Sequence, residues 1–296
     1  MPLGDAHAGD GTRSEDPDVW FQRFRPRKQS AFALYCLPYA GGSASAIFRP
    51  WAAGLGADVD LRAVMLPGRG ARIAEPASTD VGDLATRIAS AIAADDTQGG
   101  FGLLGHSFGA VLAFEVARRI EASRAFGIRQ PKLVVVSGRE APVVALDEPK
   151  LSTLGRDGFW QALETRYGVR TPSDVAANAE LMVRFRETTF ADVVANDGYQ
   201  YETSAPLACD LVALAGLRDD AVPRYAVEAW RTMTEGAFSS HVFPGAHYFI
   251  ETDGSFVMRR LRRILRRYVG AAGSALRGPS RGAARGAAGR VRLEAR

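Results

Sequence analysis

The stretch Phe101-Gly102-Leu103-Leu104-Gly105-His106-Ser107-Phe108-Gly109-Ala110-Val111-Leu112 decides the fold. Residues 101–104 are an apolar run of the length of a buried strand. Residues 110–120 are good helix formers with apolar positions at helical spacing. Between them lies Gly105-His106-Ser107-Phe108-Gly109, a match to G-x-S-x-G. In a strand–turn–helix setting this pattern presents its serine on a strained turn at the top of a sheet. Small neighbours are needed where a Cβ would clash, and Gly105 and Gly109 supply them. The bare pentapeptide could be a glycine-rich turn with an incidental serine, but the flanking strand and helix argue against that. Residues 100–105 also fit G-x-G-x-x-G. Their glycines fall inside the apolar run, however, and a dinucleotide needs them between strand and helix.

Outward from this unit the chain alternates strand and helix. Trp20, Phe21 and Phe24 are expected to start the fold by packing on the sheet. Residues 31–37 form a near-continuous apolar strand of the kind buried on both faces of a parallel sheet. Pro38-Tyr39-Ala40-Gly41-Gly42-Ser43 ends it as a loop, and a helix is predicted over 44–55 with Phe48 and Trp51 facing inward. Residues 61–65 are the next strand, closed by Pro67-Gly68-Arg69-Gly70, and 81–94 a helix that Asp80 can cap. Residues 132–137 read as a buried strand. Such alternation with right-handed crossovers predicts an α/β, mostly parallel, doubly wound sheet.

The rhythm breaks over residues 141–205, which hold no convincing strand and read as helices at 159–167, 174–177 and 179–194. An all-helical insertion after a sheet strand is expected to be a lid over the active site; a separate helical domain is the alternative. The sheet resumes at 209–215, followed by a helix over 225–233 and a short strand at 240–243. The last helix, 253–269, is expected to turn Phe256, Leu261, Ile264 and Leu265 to one face and six arginines to the others. Residues 1–17 and 271–296 read as disordered tails around a single domain at 18–270.

At 296 residues, 47% apolar and 24% charged, the chain has ordinary globular composition and length enough for a full core. No apolar run approaches a membrane span, and the N-terminus lacks a basic segment followed by an apolar one, so a cytoplasmic location without membrane attachment is expected. Cys36 and Cys209 sit in strand-like segments without metal-ligand spacing and read as core residues. The tail at 271–296 carries six arginines and one glutamate, more than the whole net charge of +4. The body is therefore nearly neutral, and nucleic acid is not an expected partner.

A serine hydroxyl needs a base within hydrogen-bond reach to act as a nucleophile. Of the four histidines, His7 is in the tail, His106 precedes the serine and is expected to point away from it, and His241 lies within a strand. His247, in Pro244-Gly245-Ala246-His247 beyond a strand end, remains as the base. The acid should fall between the two in sequence. Asp219, three residues after Gly216 at a strand exit, is preferred to Asp220, with Asp192 and Asp197 in the insertion as lesser candidates. Two backbone N–H groups should stabilise the oxyanion: that of Phe108, after the nucleophile, and that of Ala40 in the loop after the first main strand.

With these residues assembled, the chain resembles the stand-alone type II (editing) thioesterases of polyketide and nonribosomal peptide biosynthesis, of the α/β-hydrolase superfamily. The resemblance rests on Leu37-Pro38-Tyr39-Ala40-Gly41-Gly42-Ser43-Ala44, Leu66-Pro67-Gly68-Arg69-Gly70-Ala71-Arg72, Gly105-His106-Ser107-Phe108-Gly109-Ala110, Gly216-Leu217-Arg218-Asp219 and Phe243-Pro244-Gly245-Ala246-His247-Tyr248-Phe249. Tyr39 departs from it, since the family usually has histidine there. The resemblance implies an α/β-hydrolase fold and hydrolysis of stalled or wrong acyl groups from the phosphopantetheine arm of acyl or peptidyl carrier domains. The Ser107–His247–Asp219 chemistry needs no metal or redox cofactor. Phe159, Trp160, Met182 and Phe185 of the insertion are expected to line the acyl pocket, and a monomer is expected. An esterase or lipase of free small-molecule esters would use the same triad, and a non-catalytic scaffold would instead use the arginine-rich C-terminal helix and tail.

Overall fold

The computed structural model describes residues 16–25, 30–97, 99–124, 128–146 and 148–276. The elements run α1 (Pro17–Trp20), β1 (Phe21–Arg23), β2 (Phe32–Leu37), α2 (Ala44–Gly54), β3 (Val59–Val64), α3 (Val81–Ala94), β4 (Gly100–His106), α4 (Phe108–Ala122) and β5 (Leu133–Ser137). There follow α5 (Arg156–Tyr167), α6 (Ser173–Ala176), α7 (Ala179–Gly198), β6 (Asp210–Gly216), α8 (Arg224–Glu228), β7 (Phe238–Phe243), α9 (Phe249–Thr252) and α10 (Gly254–Leu276). The strands form one sheet in the order β1-β3-β2-β4-β5-β6-β7. All neighbours are parallel except β1 with β3. β4, which leads into Ser107, is the central strand.

Alternation along β2 explains why its sequence is apolar throughout. Ala33, Tyr35 and Leu37 join a core beneath α3 and α4, whereas Phe32, Leu34 and Cys36 join a second core beneath α2 and α10. With both faces covered, neither set of positions can be polar at low cost. The buried charges of β3 are paired: Arg62 bonds Asp60 and Asp95.

Several boundaries differ from those read in the sequence. Pro17, assigned to a tail, is the first residue of α1, and Asp16 caps it by accepting from the Asp18 N–H; aspartate before proline is a helix-start signal. The helix predicted over 225–233 is α8 followed by a 3₁₀ turn at Ala229–Met233. The last helix runs beyond residue 270 to Leu276. Its inward stripe is Val257, Leu261 and Leu265, each four residues from the next, and Phe256 lies outside it, 53% exposed beneath the Arg259 guanidinium. Five residues separate Phe256 from Leu261, which turns it well away from that face. His7 and residues 277–296 lie outside the described residues.

The segment between β5 and β6 contributes α5, α6 and α7 and, among its described residues, no strand. It has a small core of its own, Leu151, Phe159, Leu163 and Val193, against which Ala40 of the loop after β2 also packs. Residues 179–187 of α7 are exposed or half-buried, while Thr188, Thr189 and Asp192 further along it are buried. The insertion is therefore in contact with the loop after β2. That contact argues against a detached helical domain.

Candidate active site

Ser107 stands between β4 and α4 with φ 53° and ψ −117° and is the one non-glycine residue with positive φ among the described residues. Such a backbone costs on the order of 1–3 kcal/mol and persists only where the surroundings enforce it. The flanking glycines show how. A Cβ on Gly105 would collide with the Gly109 carbonyl, and one on Gly109 would collide with the carbonyls of Leu37 and Pro38. The first turn of α4 is thus pressed against the ends of β4 and β2, and Ser107 is lifted clear at the strand ends.

Asp219 and His247 follow the exits of β6 and β7, which lie beyond β5 on one side of β4. The N–H groups of Leu217 and Arg218 donate to the carbonyls of Phe243 and Gly245 at 2.7 and 3.0 Å, zipping the exits of β6 and β7 together. A side chain at Gly216 would strike the carbonyls of Gly245 and Ala246, so its glycine lets the histidine loop pass. His247 Nδ1 lies 2.8 Å from Asp219 Oδ2 and its Nε2 3.1 Å from Ser107 Oγ. A carboxylate only accepts, so Nδ1 carries the proton and Nε2 accepts from the serine hydroxyl. Asp219 Oδ1 also accepts from the Ala221 N–H, and both His247 and Asp219 are buried. This arrangement can withdraw the serine proton and hold the imidazolium that results.

The other candidates are placed elsewhere. Asp220 is exposed, and Asp197 accepts from the Ser152 N–H. Asp192 accepts from the Gly41 N–H and from both terminal nitrogens of Arg69. Among the N–H groups of the loop after β2, Gly41 and Gly42 are thus occupied, the latter by the Tyr39 carbonyl. His241 is in β7, where burial and Arg260 lower its pKa.

His106 does point away from Ser107, its Nδ1 2.9 Å from Ser137 Oγ, but its ring lies 5.2 Å from that of His247. It is fully buried, and burial, reinforced by His247, holds its pKa well below 6.5. Well above pH 6.5 the group is neutral in both folded and unfolded chains and adds no pH dependence to stability. As pH falls through and below 6.5 the unfolded chain takes up a proton that the folded one refuses, so stability declines, with a slope that approaches about 1.4 kcal/mol per pH unit from this residue. Chemical denaturation at pH 7.5 and 5.5 should show His106→Gln losing less stability between the two than the parent does; equal losses would refute the assignment.

Two aromatic neighbours of the base were not foreseen. Tyr167, the last residue of α5, places its ring 4.7 Å from that of His247, and Tyr248 lies 5.3 Å away on another side. Gly168 in the left-handed conformation ends α5 there, and Tyr167-Gly168 is the one local signal that marks the spot. Tyr39 packs on Tyr248 at 4.8 Å and donates to Glu251, one layer from the triad. Of the expected pocket residues, Phe159 is the buried centre of the insertion's core, and Trp160, Met182 and Phe185 are half-buried. A cavity of about 140 Å³ has walls that include Val111, Phe114, Arg139, Tyr199 and Trp230, and none of those four lines it. Both cysteines are free and buried, and burial pushes the Cys209 thiol up to about 12.

The model of the Thioesterase domain family matches residues 32–265. The chain belongs to the thioesterase family. The thioesterase is 36% identical over 235 residues to Thioesterase PikA5 of Streptomyces venezuelae, covering 79% of this chain and 81% of that protein. It is 32% identical over 250 residues to the Gramicidin S biosynthesis protein GrsT of Aneurinibacillus migulanus, covering 83% and 95%. Among solved structures, the type II thioesterase BorB from the borrelidin biosynthetic cluster superposes with a TM-score of 0.73 at 32% identity, covering 85% of this chain and 98% of that one. The fold is that of the α/β-hydrolases, and the enzyme is a thioester hydrolase related to the type II thioesterases of polyketide and nonribosomal peptide pathways.

Proposed function

We propose that the enzyme removes aberrant or stalled acyl groups from the phosphopantetheine arm of acyl or peptidyl carrier domains, an editing reaction in polyketide or nonribosomal peptide synthesis. The observation that carries this reading is the unbroken hydrogen-bond relay from Asp219 through His247 to Ser107 in a chain of the thioesterase family.

Ser107 Oγ attacks the thioester carbonyl carbon while its proton passes to His247 Nε2. The carbonyl oxygen becomes negative and accepts from the N–H groups of Ala40 and Phe108. Phe108 opens α4, where a helix leaves its first N–H groups unpaired and its dipole favours negative charge. Ala40 is supported by the occupation of both following N–H groups. Collapse of the tetrahedral intermediate breaks the C–S bond, and the pantetheine sulfur takes the proton from His247. His247 then deprotonates a water that attacks the acyl-serine; the acid leaves and Ser107 recovers its proton. Asp219 keeps the imidazole in its working tautomer throughout.

The helical insertion serves as a lid. The half-buried Trp160, Met182 and Phe185 meet the acyl chain, and Phe159 backs them from the lid core. The enzyme is proposed to act as a monomer, and in the cytoplasm, where a reducing environment suits its free buried cysteines. No described helix is long and apolar enough to cross a membrane.

The test is release of free acid from a carrier domain loaded with acetyl or longer acyl groups, beside matched simple oxyesters. Preferential turnover of the carrier-bound thioester is expected. Turnover of oxyesters with none from the carrier would replace this reading with a small-molecule carboxylesterase.

A further inference from the structure

We propose that Tyr167 is a positioning residue for His247: the base takes up its working orientation only while the end of α5 is seated beside it. This role presupposes the serine relay proposed above. Phe159, Leu163 and Tyr167 are spaced four residues apart and so share one face of α5. The first two are buried in the insertion's own core, and Tyr167 packs against both that core and the main one. The stripe that folds the insertion therefore ends on the catalytic base, where the Tyr167 ring lies 4.7 Å from the imidazole.

The imidazole needs such a neighbour. Its hydrogen bonds to Asp219 and Ser107, at 2.8 and 3.1 Å, fix two ring atoms. They leave the ring to rock about the line joining those atoms, and the histidine χ2 torsion has only a broad preference of its own. What stops the rocking is what packs on the ring. His106 approaches at 5.2 Å from the end of β4, and Tyr248 at 5.3 Å from the histidine loop itself. Tyr167 is nearer than either, with its plane inclined at 49°. Proton transfer from Ser107 belongs to the transition state, so misaligning the base costs rate and leaves ground-state binding alone.

The end of α5 is built to hold the ring there. Gly168 follows at φ 71°, and its N–H donates to the Glu164 carbonyl at 2.8 Å. A Cβ on it would meet nothing within 4 Å, so the glycine serves the left-handed backbone and not the space. The helix thus stops with Tyr167 as its last residue. Arg166 beside it pairs with Glu148 at 2.9 Å, and Arg139, whose charge acts on the Tyr167 hydroxyl, bonds Asn196 of α7 at 2.8 Å. Two side-chain links tie α5 and α7 to the segment that follows β5.

Tyr167→Ala, Tyr167→Leu and Tyr167→Phe are compared with the parent and with Ser107→Ala on an acyl N-acetylcysteamine thioester. In parallel, the rate of inactivation by methanesulfonyl fluoride is measured. That reagent is too small to need an acyl pocket; Ser107 Oγ bonds its sulfur, fluoride leaves, and His247 takes the serine proton. Melting curves establish that each variant is folded at the assay temperature. Tyr167→Ala is expected to lose at least about tenfold in kcat, the order of loss that a fraction of an ångström of misplacement brings. Its KM should change little, and its inactivation rate should fall in parallel with kcat. Tyr167→Phe keeps the ring face and should recover most of both rates. Tyr167→Leu keeps bulk without a flat face, should lie between, and carries the test if the alanine variant does not fold. A rise in KM with inactivation intact would overturn the proposal and make Tyr167 a wall of the acyl pocket. Unchanged rates in folded variants would leave it a fastening of the insertion, and a loss in Tyr167→Phe as large as in Tyr167→Ala would shift the role from the ring to the hydroxyl. Full activity in Ser107→Ala would instead remove the relay on which the proposal rests.

Discussion

Ser107→Ala is expected to lower kcat on a carrier-bound acyl thioester by about 10⁶-fold, the magnitude seen when the nucleophile of a serine relay is removed. The variant should keep its fold, since alanine deletes a single half-buried hydroxyl and leaves the strained turn, its glycines and the β4–α4 packing in place. The residual rate should be that of substrate binding and oxyanion stabilisation alone. Mass spectrometry after mixing with substrate should show an acyl adduct on the parent and none on the variant. An adduct that persists without the serine would displace Ser107 as the nucleophile.

Asp219→Asn should cost about 10⁴-fold in kcat, whereas Asp220→Asn should stay close to the parent. The asymmetry is tautomeric. Asparagine can donate to His247 Nδ1, which sends the imidazole proton to Nε2, and Nε2 then no longer accepts from Ser107 at 3.1 Å. Asp220, one residue further, is exposed and has no part in the relay. Steady-state rates of the two variants decide between adjacent carboxylates. Equal losses, or the larger loss at Asp220, would overturn the assignment.

The sheet was legible in the sequence because it is covered on both faces. Burial on both faces makes β2, β4, β5 and β6 read as apolar runs, and their shortness and flanking turn residues separate them from buried helices. His247 follows by elimination, since only four histidines compete and the strand ends restrict where a base can stand, whereas the sequence leaves Asp220 as an alternative to Asp219. Less was readable where burial is partial. Phe256 was assigned inward because an aromatic residue on an arginine-rich helix looks like core, yet its angular position put Val257 there. The partners of Tyr167 and Arg69 are not legible because His247 and Asp192 lie far along the chain from them, and no spacing rule links such pairs. Asp192 was weighed as an acid for the histidine, and its actual partners, a backbone amide and an arginine from another loop, leave no local pattern.

The relay is divided unequally over the sheet. Ser107 leaves the central strand, flanked by β2 and β5, while Asp219 and His247 leave β6 and β7, and β7 is the outermost strand with partners on one side only. Most of β7 is half-buried or exposed, and the histidine loop is held by the Leu217 and Arg218 N–H groups and by the buried Phe249 and Ile250 that follow it. Edge strands open before central ones as a domain is stressed. Mild heat or denaturant is therefore expected to part His247 from a Ser107 that is still in place, and the activity lost in that way should return on cooling or dilution while the middle of the sheet survives.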